Sequence, residues 1–127
     1  MANQQDVRGI ALSLPETTES PDEFGFRVLG RQFVWIWRER VDPKKPKVPN
    51  PEVVVLHVAD LGEKAALLAS DPEKFFTTDH YDGYKAVLVR LSMVDVEELT
   101  ELITDSWRLQ APSGLVEEME RGWRAGT

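Results

Sequence analysis

The sequence contains no cysteine, and only two histidines and two tyrosines among its 127 residues. Without thiols there can be no disulfide, zinc ribbon, iron–sulfur cluster or cysteine nucleophile. Two imidazoles, His57 and His80, could anchor a transition metal only in an unusually carboxylate-rich set. Long hydrophobic runs are missing too, and a stretch such as Val53–Leu56 falls far short of a membrane span. Met1-Ala2-Asn3-Gln4-Gln5-Asp6 has neither the basic segment nor the apolar core of a signal peptide, so the expected location is cytoplasmic. Positive charge is in deficit. Fifteen Lys and Arg stand against 22 Asp and Glu, and the net charge of −7 disfavours indiscriminate nucleic-acid binding. There is no glycine-rich phosphate loop, no helix-turn-helix signature and no nucleophile elbow around any serine.

What is present suits one domain spanning residues 1–127, because a chain of this size buries enough surface to fold without staples. Val7, Ile10, Ala11 and Leu14 recur at helical spacing, and Pro15 closes that helix. Phe24, Phe26 and Val28 alternate toward a turn at Gly30. The following strand, Gln32–Arg38, sets Phe33, Trp35 and Trp37 on one side and Val34 and Ile36 on the other. Two apolar faces predict a central, largely covered strand. Prolines at 43, 46, 49 and 51 predict a loop over 39–51 before Glu52–Val58 resumes as a strand.

Asp60 with Glu63, and Asp95 with Glu98, have capping-box spacing, and Val94 with Leu99 has staple spacing. They open two helices, the first with a predicted buried stripe of Leu61, Ala65, Leu68 and Ala69. The second carries Val96, Leu99, Leu102, Ile103, Ser106 and Trp107. Phe75–Thr78 and Tyr84–Leu91 read as strands, and Leu115, Met119 and Trp123 stripe a terminal helix. Strands that follow one another without intervening helices predict an α+β fold, an antiparallel β-sheet with helices packed on one face.

Several ordered stretches carry a family resemblance. Leu14-Pro15-Glu16-Thr17-Thr18-Glu19 follows the first helix, and Phe26-Arg27-Val28-Leu29-Gly30-Arg31-Gln32-Phe33 forms the hairpin. Phe75-Phe76-Thr77-Thr78-Asp79-His80-Tyr81-Asp82-Gly83-Tyr84 leads into Ala86–Leu91, and Glu98–Leu109 closes the set. Together, over roughly Val7 to Leu115, they resemble the MmcQ/YjbR family of small bacterial proteins. That resemblance implies a frataxin-like (CyaY-like) fold, also described as a double wing, and makes DNA an implied partner. It implies no particular catalytic or binding residue.

Three clusters carry candidate chemistry. Arg38, Arg40, Lys44, Lys45 and Lys47 form a basic loop suited to phosphates, with Arg27 and Arg31 nearby. Such contact would be electrostatic and salt-sensitive; the plainer reading is a solvated loop. His80, between Asp79 and Asp82, has the neighbours of a general acid–base pair, and Tyr81 and Tyr84 have faces for a planar ligand. Trp107 and Arg108 are candidates to border the same cleft, while Asp-Gly before a strand is also ordinary turn chemistry. Asp95, Glu98, Glu101 and Asp105 line one side of a helix at a spacing that can hold a hard cation, although carboxylates there also suit the helix dipole.

The expected function is a non-catalytic binding or regulatory module for a protein or small molecule. Nucleic-acid binding through residues 38–47 is the alternative, and an enzyme built on His80 comes third. No cofactor or resident metal is expected, no membrane is involved, and a monomer is favoured.

Overall fold

A computed structural model describes residues 1–125, with side chains as far as Gly122. Helix α1 (Gln4–Leu12) leads into β1 (Thr17–Glu19), β2 (Gly25–Val28), β3 (Arg31–Glu39) and β4 (Val48–His57). Helix α2 (Leu61–Ser70), β5 (Phe75–Phe76) and β6 (Ala86–Arg90) follow, and α3 (Val96–Gln110) and α4 (Ser113–Ala125) complete the chain. The six strands form one sheet in the order β1-β2-β3-β4-β6-β5, antiparallel at every pairing. This is the α+β architecture the strand pattern predicts.

Strand parity separates two faces. Phe26, Val34, Val54, Leu56, Val87 and Val89 bury against helical side chains that include Val7, Ala11, Leu99, Ile103 and Trp107. Val53, Val55, Ala86 and Leu88 point the other way, and only Trp35, Trp37, Phe76 and Tyr81 pack on them. Strand β3 is central, as expected, but its cover is thinner on the second face. Among the described residues no helix packs on the second face, so Trp35 and Trp37 stay half-buried. Phe33 also changes sides. A register shift in the β2–β3 pairing skips it, and it joins the helix-side core with Val34.

Local chemistry fixes the corners. Val28 pairs with Arg31 across a two-residue turn in which Leu29 (φ 46°) and Gly30 (φ 84°) are both left-handed, the geometry that matches strand twist. The predicted loop over 39–51 is shorter, because pairing with β3 resumes at Val48. Pro49 and Pro51 fit within β4 because β6 pairs only from Val53 onward and leaves that stretch with a free side. Strand β1, absent from the sequence pattern, is three residues long and exists only through pairing with β2.

Asp60 Oδ1 accepts from Glu63 N at 2.7 Å, and Glu63 returns to Ala59 N at 3.1 Å, which completes the N-terminus of α2. Asp95 caps α3 in the same way at 2.8 Å. Glu98 does not reach back, however, and binds Lys74 instead. Helix α2 departs most from expectation. Leu61, Ala65 and Ala69 are exposed, Leu67 and Leu68 are half-buried, and the one buried residue is Lys64. In α4, Leu115, Val116 and Met119 pack against the core; the Trp123 side chain lies outside the described residues.

A single hydroxyl joins helix to sheet. Ser106, fully buried on α3, donates to Phe33 O at 2.6 Å and accepts from His57 N at 3.0 Å. It relays one hydrogen bond between β3 and β4 just beyond their last direct pair, Val34 with Leu56. Ser106→Ala would strand a buried N–H and a buried C=O, each worth about 1–3 kcal/mol. The expected loss is about 2–4 kcal/mol in urea unfolding. A loss under about 0.5 kcal/mol, the scale of a neutral surface change, would show that the relay holds nothing.

Candidate functional site

The helix-free face brings together residues that are far apart in sequence. Between β5 and β6 the chain makes a short 3₁₀ turn at Asp79–Tyr81 and a left-handed step at Gly83 (φ 75°). Tyr81 packs over the exposed side of the sheet, and its hydroxyl accepts from Trp35 Nε1 at 3.1 Å. The Asp-Gly turn is thus part of a longer excursion that plants an aromatic ring on the sheet.

That excursion is held from behind. Lys64 is 5% exposed, and its ammonium donates to Tyr81 O at 2.6 Å and to Tyr84 O at 2.9 Å. Burial pushes the Lys64 pKa down, and the charge of Asp82 works in the opposite direction. A lysine on the inner side of α2 has no place in a pattern of apolar spacing, so the sequence pattern missed it.

His57, at the end of β4, lies between two rings. Its centroid is 5.0 Å from Trp35 and 6.0 Å from Tyr84. Nδ1 lies 3.3 Å from Lys85 O, and since a carbonyl can only accept, Nδ1 carries the proton. Burial lowers the His57 pKa below its ordinary 6.5, partly offset by that hydrogen bond, so the ring is neutral at pH 7.

Along β3 the same face becomes charged. A trough of about 730 Å³ runs beside Trp35 and Trp37 and is lined by Arg38, Arg40, Lys47, His80 and Tyr81. The basic loop and the tyrosine turn are therefore neighbours. The basic residues are partly engaged: Arg38 pairs with Glu23 at 2.7 Å, and Arg40 donates to Lys45 O at 2.9 Å. Lys44 and Lys45 are exposed. Further along, Trp37 meets Phe76 edge-on at 5.4 Å, and Arg90 lies 4.0 Å over the Phe76 ring.

Other candidates separate from this site. Trp107 is fully buried on the opposite face and donates from Nε1 to Pro15 O at 3.1 Å, so it is a core residue. Arg108 pairs with Asp105 at 2.9 Å and lies 3.4 Å from Glu120, beside a groove among α1, α3 and α4. Neither borders the cleft at His80. Among the described residues His80 has no hydrogen bond to Asp79 or Asp82, and no cluster of three metal-ligating side chains occurs. In the acidic stripe, Glu98 is bound to Lys74 and Asp105 to Arg108. No described helix is long and apolar enough to cross a membrane.

The sheet order, the four helices and the aromatic face define an α+β protein of YjbR-like fold, and comparison with known proteins agrees. The YjbR family model matches residues 12–109, and the chain belongs to the YjbR family. It is 40% identical over 123 residues to the uncharacterized protein Rv2570 of Mycobacterium tuberculosis, covering 92% of this chain and 95% of that one. The uncharacterized protein Mb2600 of Mycobacterium bovis matches with the same identity and coverage. The crystal structure of Deinococcus radiodurans protein DR2400, a DUF419 domain, superposes with a TM-score of 0.67 at 24% identity, over 96% of this chain and 88% of that one.

The clamp on the tyrosine turn is testable. Lys64→Met keeps the stem but leaves the Tyr81 and Tyr84 carbonyls without their charged donor. It should lower stability by about 2–3 kcal/mol and speed amide exchange at Tyr84 and Ala86. Unaltered exchange at both amides would show that the turn is held by something else.

Proposed function

We propose that this protein is a non-catalytic binding module whose ligand sits on the helix-free aromatic face of the sheet. One observation carries the reading. The two clusters richest in recognition chemistry, Arg38-Arg40-Lys47 and His80-Tyr81, line one trough floored by Trp35 and Trp37. Aromatic faces with charged groups at their rim recognise planar or charged partners through stacking and ion pairing. Support for binding without chemistry comes from how the titratable groups are used. His57 is held neutral by burial and a backbone carbonyl, and Lys64 serves backbone carbonyls.

The test is a titration of the ¹⁵N-labelled chain with a library of small aromatic fragments. Shifts should concentrate on Trp35, Trp37 and Tyr81, with α1 and α4 silent. Hits confined to the groove beside Ile10, Leu14 and Met119 would move the site to the helical side.

Nucleic-acid binding is the second reading, favoured by exposed Lys44 and Lys45 beside a trough that already holds two indoles. Glu23, Glu39 and Asp79 line the same trough, and together with the net charge of −7 they weigh against strong phosphate affinity. Under this reading a fluorescent single-stranded oligonucleotide binds at low salt and is released toward physiological salt. The double variant Lys44→Glu with Lys45→Glu abolishes that binding and unfolds at the same temperature as the parent. Absence of binding at low salt removes the reading.

A further inference from the structure

At one end of the aromatic face four rings form a closed circuit. Trp35 and His57 lie 5.0 Å apart, His57 and Tyr84 6.0 Å, and Tyr84 and Tyr81 5.9 Å. The circuit closes where Trp35 Nε1 donates to the Tyr81 hydroxyl. These rings line a cavity of about 430 Å³, within the usual range for small-molecule sites. We infer that this box, formed by Trp35, His57, Tyr81 and Tyr84, binds a planar heteroaromatic small molecule that carries a ring N–H and one negative group. The inference rests on the binding-face reading above and specifies its ligand.

Planarity follows from the walls. The polar tip of the indole is already satisfied by Tyr81, so Trp35 offers its ring surface. In the neighbouring strand β2 the residue opposite Trp35 is Gly25. A Cβ there would lie 3.3 Å from the Trp35 Cβ and 2.9 Å from Gln32 Nε2, so glycine keeps the flank of Trp35 uncrowded. Tyr84, 49% exposed, is the wall most open to solvent. Such an exposed ring gains the most from being covered by another flat surface.

The N–H requirement follows from His57. With Nδ1–H donated to Lys85 O, the neutral ring keeps a lone pair on Nε2, and no donor among the described residues reaches it. The charge requirement follows from the lining. Among the described residues Arg31 is the only formally charged side chain lining the cavity, and no carboxylate lines it. The adjoining space behind Tyr84 adds Lys85 and again no acid. The basic trough along β3 differs, since three carboxylates line it. In an otherwise acidic protein, this end of the face is the part suited to an anion.

The probe is indole-2-carboxylate, followed through the Trp35 Nε1–H resonance and backbone amides of the whole chain. Shifts at Trp35, His57 and Tyr84 are expected. Benzofuran-2-carboxylate, which lacks the N–H, should bind several-fold to about tenfold more weakly, the scale of one hydrogen bond. Cyclohexanecarboxylate and the cationic 2-(aminomethyl)indole should bind at least tenfold more weakly. Tyr84→Ala and Arg31→Gln, both at exposed positions, should each cost at least fivefold while unfolding at the parent temperature. Arg121→Gln, an exposed change on α4, should change nothing. Preference for the cationic indole would overturn the charge assignment, and equal binding of cyclohexanecarboxylate would overturn the planar one. Shifts confined to Trp37 and lost in Arg38→Gln would refute the box while leaving a binding face. No shift on the helix-free face with any probe at millimolar concentration would refute both.

Discussion

The hydroxyl of Ser106 is the constraint on which the arrangement turns. It stands where the β3–β4 ladder ends, taking the N–H of His57 and giving its proton to Phe33 O. Helix α3 is thereby fixed over the middle of the sheet, and Leu99, Ile103 and Trp107 fall onto the side chains of even parity in β3 and β4. The opposite parity, Trp35, Trp37, Val53, Val55 and His57, is left without a helix. One buried hydrogen-bond relay thus ties α3 to the covered face and also fixes the backbone of the histidine whose ring belongs to the other face. Buried polar links of this kind cost little when satisfied and much when broken, which suits them to specifying one arrangement.

Lys64 acts in a similar way from α2. A lysine loses hydration when buried, and here two backbone carbonyls of the Tyr81–Tyr84 turn replace the lost water. The result couples the position of α2 to the two tyrosines of the aromatic box. A binding face made of loop residues needs such support, since a loop alone would pay conformational entropy each time a ligand bound. Trp35 and His57 sit on strands and need none.

Much of the fold could be read in the order of residues. Alternation in β2, β3, β4 and β6, the aspartate caps at Asp60 and Asp95, and the staple pair Val94 and Leu99 each act locally, so local patterns reveal them. The failures have physical causes. Trp35 and Trp37 have the hydrophobicity of core residues, and only the tertiary structure shows that no layer covers them. Phe33 crosses to the helix side through a bulge that no periodicity encodes. Lys64 breaks the expected apolar stripe of α2 because its partners are carbonyls about 20 residues away. The basic loop and the tyrosine turn were visible as separate clusters, but their meeting in one trough depends on β5 and β6 returning the chain across the sheet. Trp107 and Arg108 read as candidates to border the same cleft, yet the helix rotation that buries Leu99 and Ile103 carries them to the opposite side.

An account built on one covered and one open face is tested most directly by solvent paramagnetic relaxation of the aromatic ring protons in the free protein. A soluble gadolinium chelate should relax Trp37, Tyr84 and the outer edge of Trp35 strongly, and leave Trp107, Phe33 and Phe26 nearly untouched. Equal protection of all these rings would mean that another layer covers the tryptophan face, and the account would be wrong.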